Sequence, residues 1–269
     1  TWDAIDTPTP GSPNRLRPPA FVRVTRAPHW PTASDNVEVT AVISAGQPIS
    51  SAALWVDLGD GFHPVSMSGV MTYSAALTYS AHIPAQAESA LVSYYIEAID
   101  VLGQRTVYPE GAPVAAERYI VGYVPPPVAI NEFLASNTTI NQDEAGEYED
   151  WIELYNTGTE SVSLDGFYLT DHLDNPAKWR FPPGTVIAPG AYLLVWCDSQ
   201  PTQGPLHADF KLSRDGEAIG LFDTDARNNI AVDTLTFGRQ NPDVSYGRYP
   251  DGANVWTFFD LPTPGDSNE

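Results

Sequence analysis

Val128 to Asp171 reads VAINEFLASNTTINQDEAGEYEDWIELYNTGTESVSLDGFYLTD, and this stretch decides the fold. In Asp150-Trp151-Ile152-Glu153-Leu154-Tyr155-Asn156 the side chains alternate, so Ile152 and Leu154 face a core while Glu153 and Tyr155 face the other way. A period of two marks a β-strand, because successive side chains leave opposite faces of the pleat. Val128–Leu134 supplies a second strand. The run between them, Gln142 to Asp150, has too much charge and too little apolar surface for a core and is expected to project into solvent as the most acidic loop of the chain.

Toward the C-terminus, the same alternation predicts strands near 128–134, 150–156, 166–170, 178–181, 191–197, 209–213, 217–222, 230–237 and 244–249. Pro182-Pro183-Gly184, Pro189-Gly190, Arg214-Asp215-Gly216 and Pro250-Asp251-Gly252 supply the turns. No helix-period segment of useful length and no heptad repeat interrupts them. Toward the N-terminus, Val124-Pro125-Pro126-Pro127 reads as a semi-rigid linker (124–127).

Before that linker, Phe21-Val22-Arg23-Val24, then Val37, Val39, Ala41 and Ile43, then Leu54, Val56 and Leu58 alternate with polar or small residues. Ala75, Leu77, Tyr79, Ala81 and Ile83 follow, then Val92, Tyr94, Ile96 and Ala98, and finally Tyr119-Ile120-Val121. With Gly59-Asp60-Gly61 and Asp100–Gly103 as turns, about seven strands in residues 18–123 match a small β-sandwich. The composition agrees, since 25 Pro, 20 Gly and 17% charged residues describe short strands and punctuated turns rather than long surface helices.

An internal repeat frames the chain. Trp2–Asn14 aligns with Trp256–Asn268, sharing Trp, Asp, Pro, Thr, Pro, Gly and Asn at matching positions. The second copy closes the C-terminal domain. Residues 1–17 are therefore expected to be the end of a preceding copy plus linker, in an array of modules; a recurrent Pro/Gly linker composition is the alternative.

Charge is unevenly placed. The chain carries 13 basic and 34 acidic side chains, for a net charge of −21, and the part from residue 125 onward holds 23 of those acids. Such a field disfavours nucleic acid and anionic membrane surfaces, and favours cations or basic partners. Arg15, Arg17, Arg23 and Arg26 form the basic cluster and are expected to meet carboxylates. No run of apolar residues is long enough for a membrane-spanning helix. Cys197 is the sole cysteine and, sharing an alternation with Leu193 and Val195, reads as a small buried hydrophobe.

Signs of catalysis are sparse. The five histidines are far apart in sequence, none paired at a metal-ligand spacing, and read as scattered surface or turn residues. No nucleophile elbow, phosphate loop or dinucleotide-binding glycine pattern occurs. Two acidic clusters have the oxygen chemistry that calcium wants. Asp223, Asp225 and Asn228 lie in one turn, with Arg227 opposing a cation there; Asp143, Glu144 and Glu147 lie in the acidic loop. Each also reads as an ordinary solvated turn without metal, so calcium is an optional cofactor and no other is implied. Trp30, Trp55, Tyr94 and Tyr95 are candidates for a sugar-binding platform, or simply core and edge aromatics.

INEFLASN, DWIELYN, SLDGFYLTD, WRFPPGTVIAPGAYLLVW, HADFKLSRDGEAIGLFD and SYGRYPDGANVW, in that order, resemble the lamin tail domain, an immunoglobulin-like sandwich of nuclear lamins and many secreted bacterial proteins. The resemblance covers 128–269. WVDLGDGFHPVSM, YSAHIP and SYYIEAIDVLGQRTVYP resemble immunoglobulin or fibronectin type III-like modules. Together they imply an all-β chain of two tandem immunoglobulin-like β-sandwiches joined by a Pro-rich linker. The implied role is that of a non-catalytic structural or adhesive module of a larger secreted or cell-surface bacterial protein, meeting another protein, a surface polymer or adjacent domains of its own polypeptide. The alternative is a substrate- or carbohydrate-binding accessory region of a multidomain enzyme, such as a spore-coat-protein-H-like kinase or a hydrolase.

Overall fold

The structure is a computed structural model describing residues 17–71 and 76–268. The repeat copy Trp2–Asn14, Arg15 and Ala75 lie outside the described residues. The chain divides into two units between Val124 and Pro125.

The first unit contains β1 (Ala20–Ala27), β2 (Val37–Ser44), β3 (Ile49–Asp57), β4 (Phe62–Ser66), β5 (Ser68–Met71), β6 (Ala76–Ile83), β7 (Leu91–Asp100), β8 (Arg105–Tyr108) and β9 (Glu117–Ile120). One sheet runs β1-β2-β6-β5 and the other β4-β3-β7-β8, with β9 pairing the remaining length of β7. Val37, Val39, Ala41 and Ile43 point from the first sheet into a core shared with Leu54, Val92, Tyr94 and Ile96 of the second. β4, β5 and β8 are strands that alternation did not reveal. They lie outside β3, β6 and β7 in their sheets, and β4 is largely exposed, so its residues need no apolar face.

The second unit contains β10 (Val128–Leu134), β11 (Asp150–Asn156), β12 (Val162–Ser163), β13 (Tyr168–Thr170), β14 (Trp179–Arg180), β15 (Val186–Ile187), β16 (Tyr192–Cys197), β17 (His207–Ala208), β18 (Glu217–Phe222), the short 3-10 turn η1 (Asp225–Arg227), β19 (Ala231–Phe237), β20 (Ser245–Arg248) and β21 (Trp256–Phe259). A six-stranded sheet, β17-β16-β11-β10-β20-β21, faces a four-stranded one, β14-β13-β18-β19. Ile130, Phe133, Ile152, Leu154, Val195 and Cys197 from the first sheet meet Leu169, Trp179, Ile219, Leu221 and Phe237 from the second. The strand expected at 209–213 is instead β17 two residues earlier, in parallel with β16, followed by a lone bridge between Asp198 and Lys211.

Pro126 and Pro127 are tied into the second unit. The Pro126 carbonyl accepts the Val128 N–H and the Pro127 carbonyl the Thr157 N–H, each at 2.8 Å. Buried Arg248 joins the two sheets of this unit. It donates to Ile130 O at 2.8 Å and grips both oxygens of Asp233 at 3.0 and 2.9 Å.

Candidate functional site

The outward face of β10, β11 and β16 carries the residues that alternation left facing away from the core, yet most of that face is covered. At one end, Leu134, Trp151 and Trp196 form a second small apolar cluster packed by Ile140 and Leu194. The loop that follows β10 lies over it, because Trp151 Nε1 donates to Asn141 Oδ1 at 2.9 Å and Asn137 Nδ2 donates to Glu149 O at 2.9 Å. At the other end the face holds two carboxylates, Glu132 and Glu153, both fully buried.

Beneath the acidic loop lies a cluster of titratable groups. Asp143 is 8% exposed, whereas Glu144, Ala145, Gly146, Glu147 and Tyr148 are exposed, so the loop projects outward as expected except for this one inward side chain. Its turn is closed by Asp143 N–H to Glu147 O at 3.0 Å and Gly146 N–H to Asp143 O at 3.1 Å. Asp143 Oδ1 accepts the Ala145 and Glu147 amides at 2.9 and 2.8 Å, while Oδ2 is buried with no hydrogen-bond donor.

Asp198 and His207, each 1% exposed, come from the far side of the loop at the ends of β16 and β17. Asp198 Oδ1 accepts the Gln200 amide at 2.8 Å and Oδ2 meets His207 Nδ1 at 2.5 Å; His207 Nε2 meets Glu144 Oε2 at 3.1 Å. One ligand atom each of Asp143, Asp198 and His207 lie within 4.8 Å of one another. Burial alone would lower the His207 pKa, but hydrogen bonds and charge from Asp198 and Glu144 outweigh it and raise the value. Glu147 completes the rim, accepting from Gln200 Nε2 and Gln203 Nε2 at 3.0 and 2.9 Å, and Gln203 Oε1 is buried without a donor.

Glu132 and Glu153 are covered by the C-terminal segment Thr263–Asn268. Thr263 donates its N–H and Oγ1 to Glu132 at 3.2 and 2.9 Å, and Gly265 donates its N–H to Glu153 Oε2 at 2.6 Å. Asn268 Nδ2 donates to Arg248 O at 2.9 Å. A β-bulge at Asn131 lets its amide nitrogen reach Glu153 and Asp251 at 3.2 and 2.8 Å. Asp251 in turn accepts Tyr192 OH, Ser267 Oγ and the Asn268 N–H. Gly247 permits this docking, since a Cβ there would lie 2.9 Å from Asn268 Nδ2 and 3.0 Å from Asn131 O.

Asp223, Asp225 and Asn228 lie around η1, where their polar groups meet protein partners. Asp223 is buried and pairs with Arg227 at 3.3 Å. Asp225 accepts Tyr168 OH at 2.9 Å and Asn229 Nδ2 at 3.2 Å, and Asn228 takes the left-handed conformation that ends the turn.

The sequence did not reveal Asp198 and His207 as neighbours of Asp143, because they lie 55 and 64 positions further on and only the strand order brings them under the loop. His207 is therefore buried, where a surface or turn residue was expected. Among the aromatics, Tyr94 lies in the core. Trp55 and Tyr95 stack at 5.8 Å with Phe62 edge-on to Tyr95. Trp30 packs on Tyr123 at 5.2 Å. Arg26 lies over the Tyr119 ring at 4.5 Å, a cation–π contact in place of the carboxylate expected for it. Among the described residues, no helix is long and apolar enough to cross a membrane.

Architecture and packing define an all-β chain of immunoglobulin-like sandwiches. Residues 123–239 match the family model described as Lamin Tail Domain. β20, β21 and the Thr263–Asn268 segment lie beyond the matched range. No curated protein matches the chain.

Among solved structures, the chain is similar to an uncharacterized protein from Listeria monocytogenes, at 11% identity and a TM-score of 0.30 over 86% of this chain and 20% of that one. It is also similar to a cycloalternan-degrading enzyme from Trueperella pyogenes, at 13% identity and a TM-score of 0.29 over 80% and 34% of the two chains. The ectodomain of mouse nectin-like molecule 4 matches at 12% identity and a TM-score of 0.23 over 88% and 67%. The chain spans 20% of the length of the Listeria protein.

Proposed function

We propose that the chain is a non-catalytic interaction module of a larger secreted or cell-surface protein, and that its partner is an extended protein segment added to the edge of the six-stranded sheet. The observation that carries this reading is β21. It is the terminal strand of that sheet, and among the described residues no strand pairs with its outer side. The Tyr249 N–H bonds Val255 O at 2.9 Å, and the register pairs Gly247 with Thr257 and Ser245 with Phe259. Hydrogen-bonded pairs alternate along an antiparallel ladder, so the backbone N–H groups of Trp256 and Phe258 face outward. Phe258 on β21 is 52% exposed, and Val255 just before the strand and Leu261 just after it are exposed too. An open, apolar edge is the surface that strand addition uses.

Sedimentation of the full chain tests this with a second copy as the simplest extended partner. Concentration-dependent association that Phe258→Asp abolishes supports the reading; a chain that stays monomeric at all concentrations while binding oligosaccharides on a glycan array contradicts it. The second reading, a carbohydrate-binding accessory region of a multidomain enzyme, draws on the Trp55–Tyr95 stack and neighbouring Phe62. On that reading Trp55→Ala would abolish glycan retention.

A further inference from the structure

Asp143, Asp198 and His207 come from separate segments and converge in the second unit with ligand atoms within 4.8 Å of one another. Each carboxylate is held in the same way. One oxygen is tied to backbone amides, Asp143 Oδ1 by Ala145 and Glu147 and Asp198 Oδ1 by Gln200. The other is left for the cluster: Asp198 Oδ2 turns to His207, and Asp143 Oδ2 is buried with no donor. A carboxylate oxygen taken out of water without a partner is costly, and a cation is the group that satisfies Asp143 Oδ2 beside the Asp198–His207 pair. Backbone amides on the outer oxygens are the arrangement that orients metal ligands.

The donor chemistry selects the ion. Calcium takes six to eight oxygens and favours flexible loops rich in carbonyls. Here an imidazole is central, and each carboxylate has a single oxygen left to give. Imidazole with monodentate carboxylates suits a four-coordinate first-row ion, whose ligands lie about 2.0–2.2 Å away and therefore roughly 3.4 Å from each other. His207 Nδ1 and Asp198 Oδ2 are 2.5 Å apart, and Glu144 Oε2 meets the other ring nitrogen at 3.1 Å.

We propose that Asp143, Asp198 and His207 hold a divalent transition-metal ion of the zinc type, while Glu144 holds the opposite ring nitrogen of His207. The ion fastens the acidic loop to the segment between β16 and β17. Three protein groups hold it, and neither the edge-strand reading nor the resemblance to solved structures enters into it.

The test uses the tag-free full chain, stripped with EDTA and titrated calorimetrically with zinc, manganese and calcium chlorides in turn. Zinc should bind one per chain and, at hundredfold excess over its Kd, raise an unfolding midpoint by about 5–10 °C. Asp143→Asn and His207→Gln should each weaken zinc at least about tenfold, while Asp225→Asn leaves it unchanged. Should the cluster variants fail to fold, the wild-type imidazole signals give the answer: zinc should move those of His207 and leave the other histidines in place. The proposal is overturned if none of the ions produces heat or a thermal shift at millimolar concentration, if zinc binding survives unchanged in Asp143→Asn and His207→Gln, if zinc leaves the His207 signals unmoved, or if calcium binds more tightly than zinc.

Discussion

Gly265 donates its backbone N–H to the buried carboxylate of Glu153 at 2.6 Å across 112 positions of sequence. This bond is the centre of a dock in which the last residues cover the carboxylates that β10 and β11 turn away from the core. Glu132, Glu153 and Asp251 would otherwise be carboxylates without enough donors, and Thr263, Gly265, Ser267 and Asn268 supply them.

A chain ending at Asp260 removes those donors together. Leaving a buried acceptor unsatisfied costs about 1–3 kcal/mol each. Urea unfolding of the second unit should show a loss of at least about 3 kcal/mol relative to the full chain.

Stability should fall as pH rises from about 4.5 to 8. Burial, reinforced by the charges of Glu132 and Asp251, raises Glu153 to about 8 against the donors Gly265 and Asn131. Burial likewise raises Glu132, and Asp150 to about 6. A raised carboxyl keeps its proton in the folded state after the unfolded chain has lost it, so its contribution is whole below the unfolded pKa and disappears through the folded one. For Asp251, burial acts upward but hydrogen bonds from Tyr192, Asn131, Ser267 and Asn268 hold it below its ordinary value, so its contribution is lost only in acid. Urea midpoints for the second unit should be higher at pH 5 than at pH 8, and Glu153→Gln should flatten the difference.

The dock explains the repeat at the N-terminus in chemical terms. Aligned with Leu261–Asn268, Thr7–Asn14 keeps the equivalents of Thr263, Gly265 and Asn268, at Thr9, Gly11 and Asn14, and replaces Ser267 by Pro13. Grafting the Thr7–Asn14 sequence in place of Leu261–Asn268 should therefore preserve the fold with a loss of about 1 kcal/mol for the missing Ser267 hydroxyl, while a scrambled graft should be as unstable as the truncation.

Cys197 is buried in the core, where desolvation and then the nearby carboxylates Asp150 and Asp198 push its thiol well above the ordinary value. It should stay unreactive toward a thiol-specific disulfide reagent in the native protein and react stoichiometrically once unfolded in urea.

Alternation made the core legible. Ile152, Leu154, Val195 and Cys197 are where a period of two places them, and β10, β11 and β18 have the expected bounds. It could not say what lies on the opposite face, because Glu153 reads as a solvated strand residue until a tail 112 positions away covers it. β12 and β15 escaped notice because two-residue strands contain no period. The acidic loop was legible as a loop, but the burial of Asp143 depends on Asp198 and His207, which are neighbours only after the sheet has formed.

Amide hydrogen exchange at Gly265 reads out whether the terminal segment is a built part of the sandwich that seals its buried carboxylates. Protection comparable to that of the β11 amides is expected, since opening that bond would expose Glu153. Exchange of the Gly265 amide at the rate of an unstructured peptide, with β11 still protected, would contradict it.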